Sequence, residues 1–344
     1  SILMVCWIKS HTVIGRLKSQ RAEVSWVELS EFSIIERFFT SKSHKHSQVQ
    51  LGVGDDCAVL GMAEDCEWVV TVDTMVEGVH FFPNTQPEFL AHKLLAVNLS
   101  DLSSMGARPV AITLALTLPA FDEDWLQRFS DRLFQLTDRF EVDLIGGDTT
   151  SGPLTLTLQA LGLVPKGRAL CRHQAKVGDL IYLTGFLGDA GLGLKVVQGY
   201  ELEDSQSVLK RFHCPDPRVA IGSIILPYAN ACIDISDGLL SDLGHVLKKS
   251  RVGANLYWEQ LPLSSQVRSY IYETNDWKMP LNGGDDYELC FTVSPENQQR
   301  LERCLSEQPV MCSQIGVVEA GDALFLTKSG VRESVVATGF QHFG

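Results

Sequence analysis

The feature that most constrains this chain is a short apolar run that ends in glycines and carboxylates and recurs along the sequence. In residues 142–152 (VDLIGGDTTSG), the apolar positions are typical of a buried strand, and Asp148 follows two glycines. Related segments are 52–56 (GVGDD), 283–286 (GGDD) and 234–237 (DISD). Glycine-loosened loops that present carboxylates suit hard cations such as Mg²⁺, which take oxygen ligands and often bridge to phosphates. The alternative is that each aspartate forms an Asx turn that caps a strand.

Length and composition narrow the class of protein. A chain of 344 residues with 45% hydrophobic and 21% charged residues is expected to form two globular domains. The net charge of −13 argues against nucleic acid or an anionic membrane surface as a partner. The nine cysteines form no C-x-x-C pair and no Cys/His cluster at zinc spacing, so we expect reduced thiols and a cytoplasmic location.

The sequence contains no apolar run of membrane-spanning length. Residues 1–29 show no clear periodicity, and we expect them to be an N-terminal extension of unknown role. Beyond them, patterns of both α and β type alternate, which predicts an α/β (α+β) fold. The predicted helices are 31–39, 87–106, one that begins after Asp122 or Asp124, 217–226, and one that begins after Asp237. The predicted strands are 48–53, 68–73, 110–118, 142–145, 154–164, 179–184, 231–235, 287–293, 313–318 and 323–326, with a sharp turn at Gly146 and Gly147 after the fourth of them.

The helix predicted at 87–106 is apolar almost all round, so it should be buried. Asn98 and Asp101 nevertheless lie inside it. Burying an ionised carboxylate is costly unless the group is paired or binds a metal. We therefore take Asp101 as a candidate metal ligand. The alternative is that it bonds the backbone of a neighbouring loop.

Asp234, Ser236 and Asp237 are predicted to lie where a strand meets a helix that Asp237 caps. Helix N-termini favour anions, and aspartates attract metal ions, so a metal-bridged phosphate would satisfy both tendencies. A second glycine-rich segment, 185–193, lacks the G-x-G-x-x-G fingerprint of dinucleotide-binding folds. Close packing of a helix on a strand explains those glycines as well.

The carboxylates favour one reaction class. The sequence contains neither a G-x-x-x-x-G-K-[ST] loop nor the H-R-D and D-F-G motifs of protein kinases. Carboxylates outnumber candidate bases, which suits phosphoryl transfer assisted by metal ions. If the acceptor is itself a phosphate, no general base is needed, because its second pKa is about 6.

Six segments, in this order, resemble bacterial thiamine-monophosphate kinases of the aminoimidazole-ribonucleotide-synthetase-like superfamily. The resemblance covers about residues 31–343. The segments are GVGDDCAVL, VTVDT with His80 downstream, LAVNLSDLSSMGARP, IGGDTT, CIDISDGLLSDLGH and GGDDYELCFT.

This resemblance implies an N-terminal domain (residues 30–165) that dimerises through its sheet and a C-terminal α/β domain (residues 166–344), with the active site in the cleft between them. It also implies direct in-line transfer of a phosphoryl group from ATP to thiamine monophosphate, assisted by several Mg²⁺ ions, in a homodimer. A different ATP-using enzyme of the superfamily, such as a selenophosphate synthetase or a hydrogenase-maturation protein, is the alternative. A silent nucleotide- or thiamine-phosphate-binding protein is a further alternative.

The resemblance also assigns roles to residues. The metal-binding positions are Asp56, Thr71, Val72, Asp73, Asp101, Asp148, Asp234 and Asp237. The ATP-binding positions are Gly147, Asp148, Arg172 and Ser236. The positions for the thiamine phosphate are His80, Asp285 and Phe340. Asp148 and Asp237 are the expected catalytic residues. Val72 replaces the commoner Thr, Asp285 is often Glu in the family, and Phe340 is often Tyr or Trp.

Overall fold

The computed structural model of the protein describes residues 31–40, 44–53, 57–61 and 64–336. The expected site residues Asp56 and Phe340, and the extension at 1–29, lie outside the described residues.

The N-terminal half contains a four-stranded sheet with strand order β3-β6-β4-β5. Strand β6 is antiparallel to both of its neighbours, and β4 and β5 are parallel. A short pair, β1 with β2, lies apart from this sheet. The elements are α1 (Glu31–Phe39), β1 (Val49–Leu51), β2 (Val59–Leu60), β3 (Cys66–Val76), α2 (Pro87–Ser104), β4 (Arg108–Leu118), α3 (Glu123–Arg139), β5 (Asp143–Ser151) and β6 (Thr155–Pro165).

The C-terminal half contains a seven-stranded sheet with strand order β13-β12-β9-β11-β7-β10-β8. Its first elements are β7 (Leu180–Thr184), α4 (Asp189–Val197), α5 (Gln206–His213), α6 (Val219–Ile225), β8 (Ala229–Asp234), α7 (Leu239–Ser250) and β9 (Gly253–Tyr257). The remaining elements are α8 (Ser265–Thr274), α9 (Met279–Asn282), β10 (Leu289–Val293), α10 (Gln298–Ser306), β11 (Cys312–Glu319), β12 (Leu324–Lys328) and β13 (Val331–Val335).

Helix α2 joins the two halves. It packs on β3, β6 and α3 of its own half and on α6 and β8 of the other. Because every side of the helix meets protein, Leu90, Leu94, Leu95 and Leu99 are all buried. This confirms the prediction from the apolar pattern of residues 87–106, and it places the interior polar residues of α2 between the two halves.

The four-stranded sheet has two different faces. Helices α2 and α3 cover one face, where leucines of β4 and β6 form a single core with leucines of the helices. The other face, which we call the open face, is left partly uncovered by the described residues: Val70 is 52% exposed and Val72 is 56% exposed. The open face comprises Val70, Val72, Thr74, Thr113, Ala115, Thr117, Asp148, Thr150, Thr157 and Gln159.

The structure corrects one expectation about the glycine-carboxylate segments. The chain does not turn at Gly147. Strand β5 continues to Ser151, so Asp148 lies within an edge strand and not in a loop after it. The reason for Gly147 is close approach, since a Cβ atom there would lie 1.8 Å from the carbonyl oxygen of Leu114 on β4.

A second correction concerns the strand predicted at 287–293, which begins only at Leu289. Asp285 and Tyr287 have φ angles of 69° and 48°, in the left-handed region that side chains other than glycine rarely adopt. These two residues therefore belong to an irregular loop. The capping residue of α3 is also settled: the carboxylate of Asp122 accepts the N–H of Trp125.

Candidate active site

A cleft of about 1000 Å³ lies between the two halves. Strand β3, the loop after it and helix α2 form one wall. Helix α4, the loop after β8 and the loop before β10 form the other. Its carboxylates are Asp73, Asp101, Asp234, Asp237, Asp276 and Asp285, and its aromatic residues are Phe81, Phe82, Phe212 and Tyr287. Four of the six carboxylates are residues at which the resemblance places metal ligands.

Asp73 and Asp101 are neighbours across β3 and α2. Burial and the nearby carboxyl of Asp101 raise the pKa of Asp73 to about 6. Burial likewise raises the pKa of Asp101, although a hydrogen bond from the hydroxyl of Thr71 opposes the shift. Among the described residues, the carboxylate of Asp101 faces Thr71 and Asp73, and its role as a metal ligand stays a prediction.

Asp234 ends strand β8 on the opposite wall and is 3% exposed. Its Oδ2 accepts a hydrogen bond from the hydroxyl of Ser100 on α2 at 2.7 Å. Burial, and then repulsion from Asp101, raise its pKa to about 8. Carboxyls of both walls therefore repel one another in this cleft, which is the electrostatic situation that divalent cations relieve.

The donor set fits Mg²⁺, a hard cation that prefers oxygen ligands. Within the described ranges, no three carboxylate, histidine or cysteine side chains converge on one metal-sized position. That arrangement is compatible with Mg²⁺, which usually keeps several waters and takes one or two carboxylates together with phosphate oxygens of the substrate. The residues that would hold it are Asp73, Asp101, Asp234 and Asp237.

The loop between β8 and α7 carries Ser236 and Asp237. The expectation that Asp237 caps α7 is wrong, because Gly238 occupies the N-cap position. Asp242, inside the first turn, accepts the backbone N–H groups of Ser236, Asp237 and Gly238 at 3.0, 3.0 and 3.1 Å. Asp242 thus holds the loop in place, and the side chain of Asp237 lines the cleft.

The loop before β10 is anchored on both sides of Asp285. The backbone N–H groups of Asp285 and Tyr287 donate to the carbonyls of Ser236 and Ile235 at 2.9 and 2.8 Å. The fully buried carboxyl of Asp286 accepts the N–H groups of Gly188 and Ala190, at the start of α4. These contacts hold Asp285 and Tyr287 in their left-handed conformation, and the arrangement directs Asp285 into the cleft.

One end of the cleft is aromatic and basic. His80 lies there with its Nδ1 accepting the N–H of Val76 at 3.0 Å, which fixes the orientation of the ring. Phe81, Phe82 and Phe212 surround it. A planar ring bearing a positive charge would find both stacking surfaces and the carboxylate of Asp285 in this end of the cleft.

Five predicted residues in the described part of the chain do not line the cleft: Thr71, Val72, Gly147, Asp148 and Arg172. Val72 and Asp148 lie on the open face, and Gly147 lies beside Asp148 in the edge strand β5. Arg172 is exposed on the segment between the two halves. Its positive charge lowers the pKa values of Asp101 and Asp234 as a minor contribution against their burial, so it acts on the same carboxylates. Seven predicted residues do line the cleft: His80, Asp73, Asp101, Asp234, Ser236, Asp237 and Asp285.

The sequence reasoning missed several residues of the site. Lys93 on α2 lines the cleft and pairs with Asp285, and Asp242 and Asp286 hold the two loops. A signal for Lys93 was available, since a charged residue in a helix that is apolar all round poses the same question as Asp101. The GGDD segment marked Asp286 as one of a carboxylate pair but did not indicate that it holds a loop, and the local pattern gave no signal for Asp242.

A helix that crosses a membrane must be both long and apolar. Within residues 31–40, 44–53, 57–61 and 64–336, no helix combines the length and the apolar character that crossing a bilayer demands.

Comparisons with known proteins agree with this geometry. Residues 54–164 match the family model "AIR synthase related protein, N-terminal domain", and residues 176–329 match the corresponding C-terminal domain. The thiamine-monophosphate kinase of Escherichia coli (strain K12) is 44% identical over 318 residues, which are 91% of this chain and 98% of that protein.

Solved structures give the same result. The crystal structure of thiamine-monophosphate kinase from Stenotrophomonas maltophilia K279a has a TM-score of 0.78 and 40% identity, and covers 83% of this chain and 93% of that one. The structure of AaThiL complexed with AMPPCP and TMP has a TM-score of 0.72 and 29% identity, and covers 94% of this chain and 100% of that one. With its two-domain fold and its carboxylate-lined cleft, this chain belongs to the thiamine-monophosphate kinase family.

Proposed function

We propose that this protein transfers the γ-phosphoryl group of ATP to thiamine monophosphate, giving ADP and thiamine diphosphate. The observation that carries the proposal is the cleft in which Asp73, Asp101 and Asp234 face one another beside an aromatic end that contains His80 and Asp285. Such a cleft suits one polyanionic donor, one ring-bearing acceptor and the cations between them. The relatives named thiamine-monophosphate kinase, and the AaThiL complex with AMPPCP and TMP, support the same pair of ligands.

Several Mg²⁺ ions belong to the proposal. When bound, they would neutralise the charge of the two phosphate-bearing ligands and polarise the transferred group. Asp56, Asp73, Asp101, Asp148, Asp234 and Asp237 are the side chains proposed to hold them, with Thr71 and Val72 contributing from β3. Val72 can contribute only through its backbone carbonyl, because its side chain is apolar.

The chain's own residues would position the reacting groups. The acceptor phosphate is ionised near neutral pH, since its second pKa is about 6, so the attacking oxygen needs no general base. Ser236, Gly147 and Arg172 are proposed to contact ATP. The loop that Asp242 holds would keep Ser236 and Asp237 fixed with respect to the donor. Fixed donors and carboxylates need no reorganisation during transfer, which lowers the barrier.

The acceptor is proposed to lie between His80, Asp285 and Phe340. Its thiazolium ring carries a permanent positive charge, and the carboxylate of Asp285 supplies the opposite charge. The ring of Phe340 would supply a stacking surface. Because Phe340 lies outside the described residues, this part of the proposal rests on the resemblance.

A homodimer formed through the N-terminal sheet is also proposed, with domains at residues 30–165 and 166–344. The open face carries exposed Val70 and Val72 beside threonines of all four strands, so a second copy would remove apolar surface from water there. Asp148 lies on the same face and would then act from within the interface. A cytoplasmic location is part of the proposal, since ATP is available there.

The deciding experiment is product identification by anion-exchange chromatography after incubation with ATP, Mg²⁺ and thiamine monophosphate, with thiamine as the control acceptor. Thiamine diphosphate and ADP in equal amounts, formed only from the monophosphate, would establish the function. Asp237→Asn provides the matched inactive control. Binding of both ligands without ADP would indicate a silent binding protein and would contradict the proposal.

A further inference from the structure

We propose that Lys93 is a specificity-determining residue that selects a phosphorylated acceptor, because it exchanges its partner Asp285 for the acceptor's phosphate. This inference rests on the proposed function and names the group that separates thiamine monophosphate from thiamine. The proposed contact between Lys93 and the phosphate involves none of the residues predicted to bind metal. It acts at the acceptor end of the cleft, next to His80 and Phe212.

The location of Lys93 is unusual for a lysine. Its side chain is only 10% exposed, and its ammonium lies 2.8 Å from Oδ2 of Asp285 and 4.5 Å from the centre of the Phe212 ring. Among the described residues that line the cleft, two other lysines occur. Lys195 is 37% exposed and 3.8 Å from Asp276, and Lys278 is exposed. Lys93 is therefore the buried cation of the cleft wall within the described part of the chain.

The two partners of this ion pair differ in the contacts that hold their charged groups in place. Asp285 is held by the hydroxyl of Tyr287, which donates to its Oδ1 at 3.1 Å, and by a backbone that two neighbouring loops keep in the left-handed region. Lys93 ends a flexible four-carbon side chain whose stem is packed in α2. The carboxylate is thus a fixed point, and the ammonium is the group that can change partner.

The charges of the acceptor match this exchange. Thiamine monophosphate carries a cationic ring and an anionic phosphate, so it can offer Asp285 a cation and Lys93 an anion at the same time. The buried ammonium of Lys93 and the half-buried carboxylate of Asp285 would then both remain paired. Thiamine has the cationic ring without the phosphate. If it displaced Lys93 from Asp285, the ammonium would be left buried without a partner, and such a loss is strongly unfavourable.

The acidic character of the cleft adds to the argument. Asp73, Asp101 and Asp234 repel an approaching phosphate, and a compact ammonium is a common protein group for binding phosphate as a point charge. Lys93 would supply that charge at the acceptor end and would leave Asp73, Asp101 and Asp234 available to metal ions. Two effects therefore favour thiamine monophosphate over thiamine. Its phosphate binds Lys93, and thiamine would leave the ammonium of Lys93 unpaired.

The test compares Lys93→Met with the wild type. The stem length is nearly kept and the charge is removed. The measured quantity is the ratio of the dissociation constant of thiamine to that of thiamine monophosphate, determined by calorimetry. We expect this ratio to fall at least about tenfold in Lys93→Met, and Lys93→Arg to restore part of it. A ratio within about twofold of the wild type would overturn the inference.

Lys195→Met is the matched control, since it removes the same charge from a more exposed position in the same cleft. We expect its ratio to change by less than about threefold. Equal effects of Lys93→Met and Lys195→Met would mean that net charge alone matters, which would overturn the inference. If the wild type makes no thiamine diphosphate, the proposed function fails. An active wild type whose ratio is insensitive to Lys93 contradicts the inference alone.

A second variant decides the matter even if Lys93→Met does not fold. In Asp285→Asn the ammonium of Lys93 loses its charged partner while the hydrogen bonds of the loop backbone remain. We expect inorganic phosphate, titrated without metal, to bind this variant at least about threefold more tightly than the wild type. Unchanged or weaker phosphate binding would overturn the exchange of partners.

Discussion

Asp148 and Thr74 lie at opposite edges of the four-stranded sheet, on one cross-strand row that passes through Ala115 and Thr157. Neighbouring strands are about 4.8 Å apart, so about 14 Å separate the two positions. All four residues point to the open face, whereas the side chain of Asp73, one position before Thr74, points to Asp101 on helix α2. We infer that Asp148 contributes to a site on a second copy more readily than to the cleft of its own chain.

The first prediction uses two inactive variants. Asp148→Asn and Asp237→Asn are each expected to abolish transfer. If Asp148 acts across the dimer, a mixed dimer contains one intact site, with Asp237 from one copy and Asp148 from the other. After mixing, unfolding and refolding at equal concentrations, we expect about a quarter of the wild-type activity, because half of the dimers are mixed and each has one working site.

The control mixes Asp234→Asn with Asp237→Asn. Both residues line the same cleft of one chain, so no subunit combination repairs both defects and no activity should return. If the mixture of Asp148→Asn and Asp237→Asn also stays inactive although mixed dimers form, Asp148 acts within its own chain. Full activity of Asp148→Asn alone would remove the residue from the mechanism.

The second prediction concerns stability. Glu288 is fully buried and accepts hydrogen bonds from Arg211, Arg218 and Thr184. Glu288→Gln keeps the shape but removes the counter-charge of the largely buried Arg211 and leaves Arg218 only its longer contact with Asp216 at 3.4 Å. This change should lower the free energy of unfolding by about 3 kcal/mol. Urea denaturation followed by circular dichroism would measure the change.

Glu319→Gln is the comparison for Glu288→Gln. Glu319 pairs with Arg332 at 2.6 Å, but a third to a half of each side chain is accessible to water. An exposed pair of this kind contributes only about 0–1 kcal/mol. A similar loss of unfolding free energy in both variants would show that burial does not increase the contribution of the Glu288 network to stability.

The site could be predicted from the sequence wherever one residue alone violates its local pattern. Asp101 was found because a carboxylate interrupts an apolar helix, and α2 proved to be buried on all sides. The order of strands in a sheet, in contrast, produces no such signal in the local sequence. The segments around Asp148 and Asp234 look alike in the sequence, but one belongs to an edge strand of the first sheet and the other ends a strand at the cleft.

Contacts between distant segments account for most of what the sequence did not reveal. Asp286 has a defined role only because the start of α4, 98 residues earlier, brings the N–H of Gly188 to its carboxyl. The left-handed conformation of Asp285 and Tyr287 is likewise stabilised by anchoring to neighbouring loops. Aspartate adopts this conformation more readily than most residues, but tyrosine rarely does. Local propensity therefore predicted a strand at a place where tertiary contacts impose a loop.

The third prediction is that Mg²⁺ binding releases protons. Burial and neighbouring carboxyls raise the pKa of Asp73 to about 6 and that of Asp234 to about 8, so at pH 7 the carboxyl of Asp234 is mostly protonated in the metal-free protein. A metal ion must displace that proton. Apparent affinity should therefore fall as the pH is lowered from 8 to 6, and calorimetry in two buffers of different ionisation enthalpy should detect about one released proton.

Asp234→Asn is the corresponding control, because it removes the group that carries the proton at pH 7. Its binding enthalpy should no longer depend on the buffer at that pH. Metal affinity that is independent of pH between 6 and 8 in the wild type would contradict the assignment of these carboxyls to the metal.

The fourth prediction is a loss of stability in acid that His92 causes. His92 on α2 is 4% exposed. Its Nε2–H donates to the carbonyl of Pro215 at 2.8 Å, and its Nδ1 accepts from Arg132 at 2.7 Å, so the ring is neutral. Burial lowers its pKa from 6.5 to about 4, and the charge of Arg132 acts in the same direction.

The direction of this pH effect follows from proton binding by the folded and unfolded chain. Between pH 6.5 and 4 the unfolded chain binds a proton at His92 and the folded protein does not, so acid favours unfolding. The contribution of His92 to stability is complete above pH 6.5 and is lost progressively below it, to a total of about 3 kcal/mol.

Urea denaturation at several pH values should show that His92→Gln loses less stability between pH 6.5 and 4 than the wild type. His173→Gln, at an exposed position, should follow the wild type. If the His92→Gln and wild-type curves run parallel from pH 6.5 to 4, the buried imidazole does not cause the acid sensitivity.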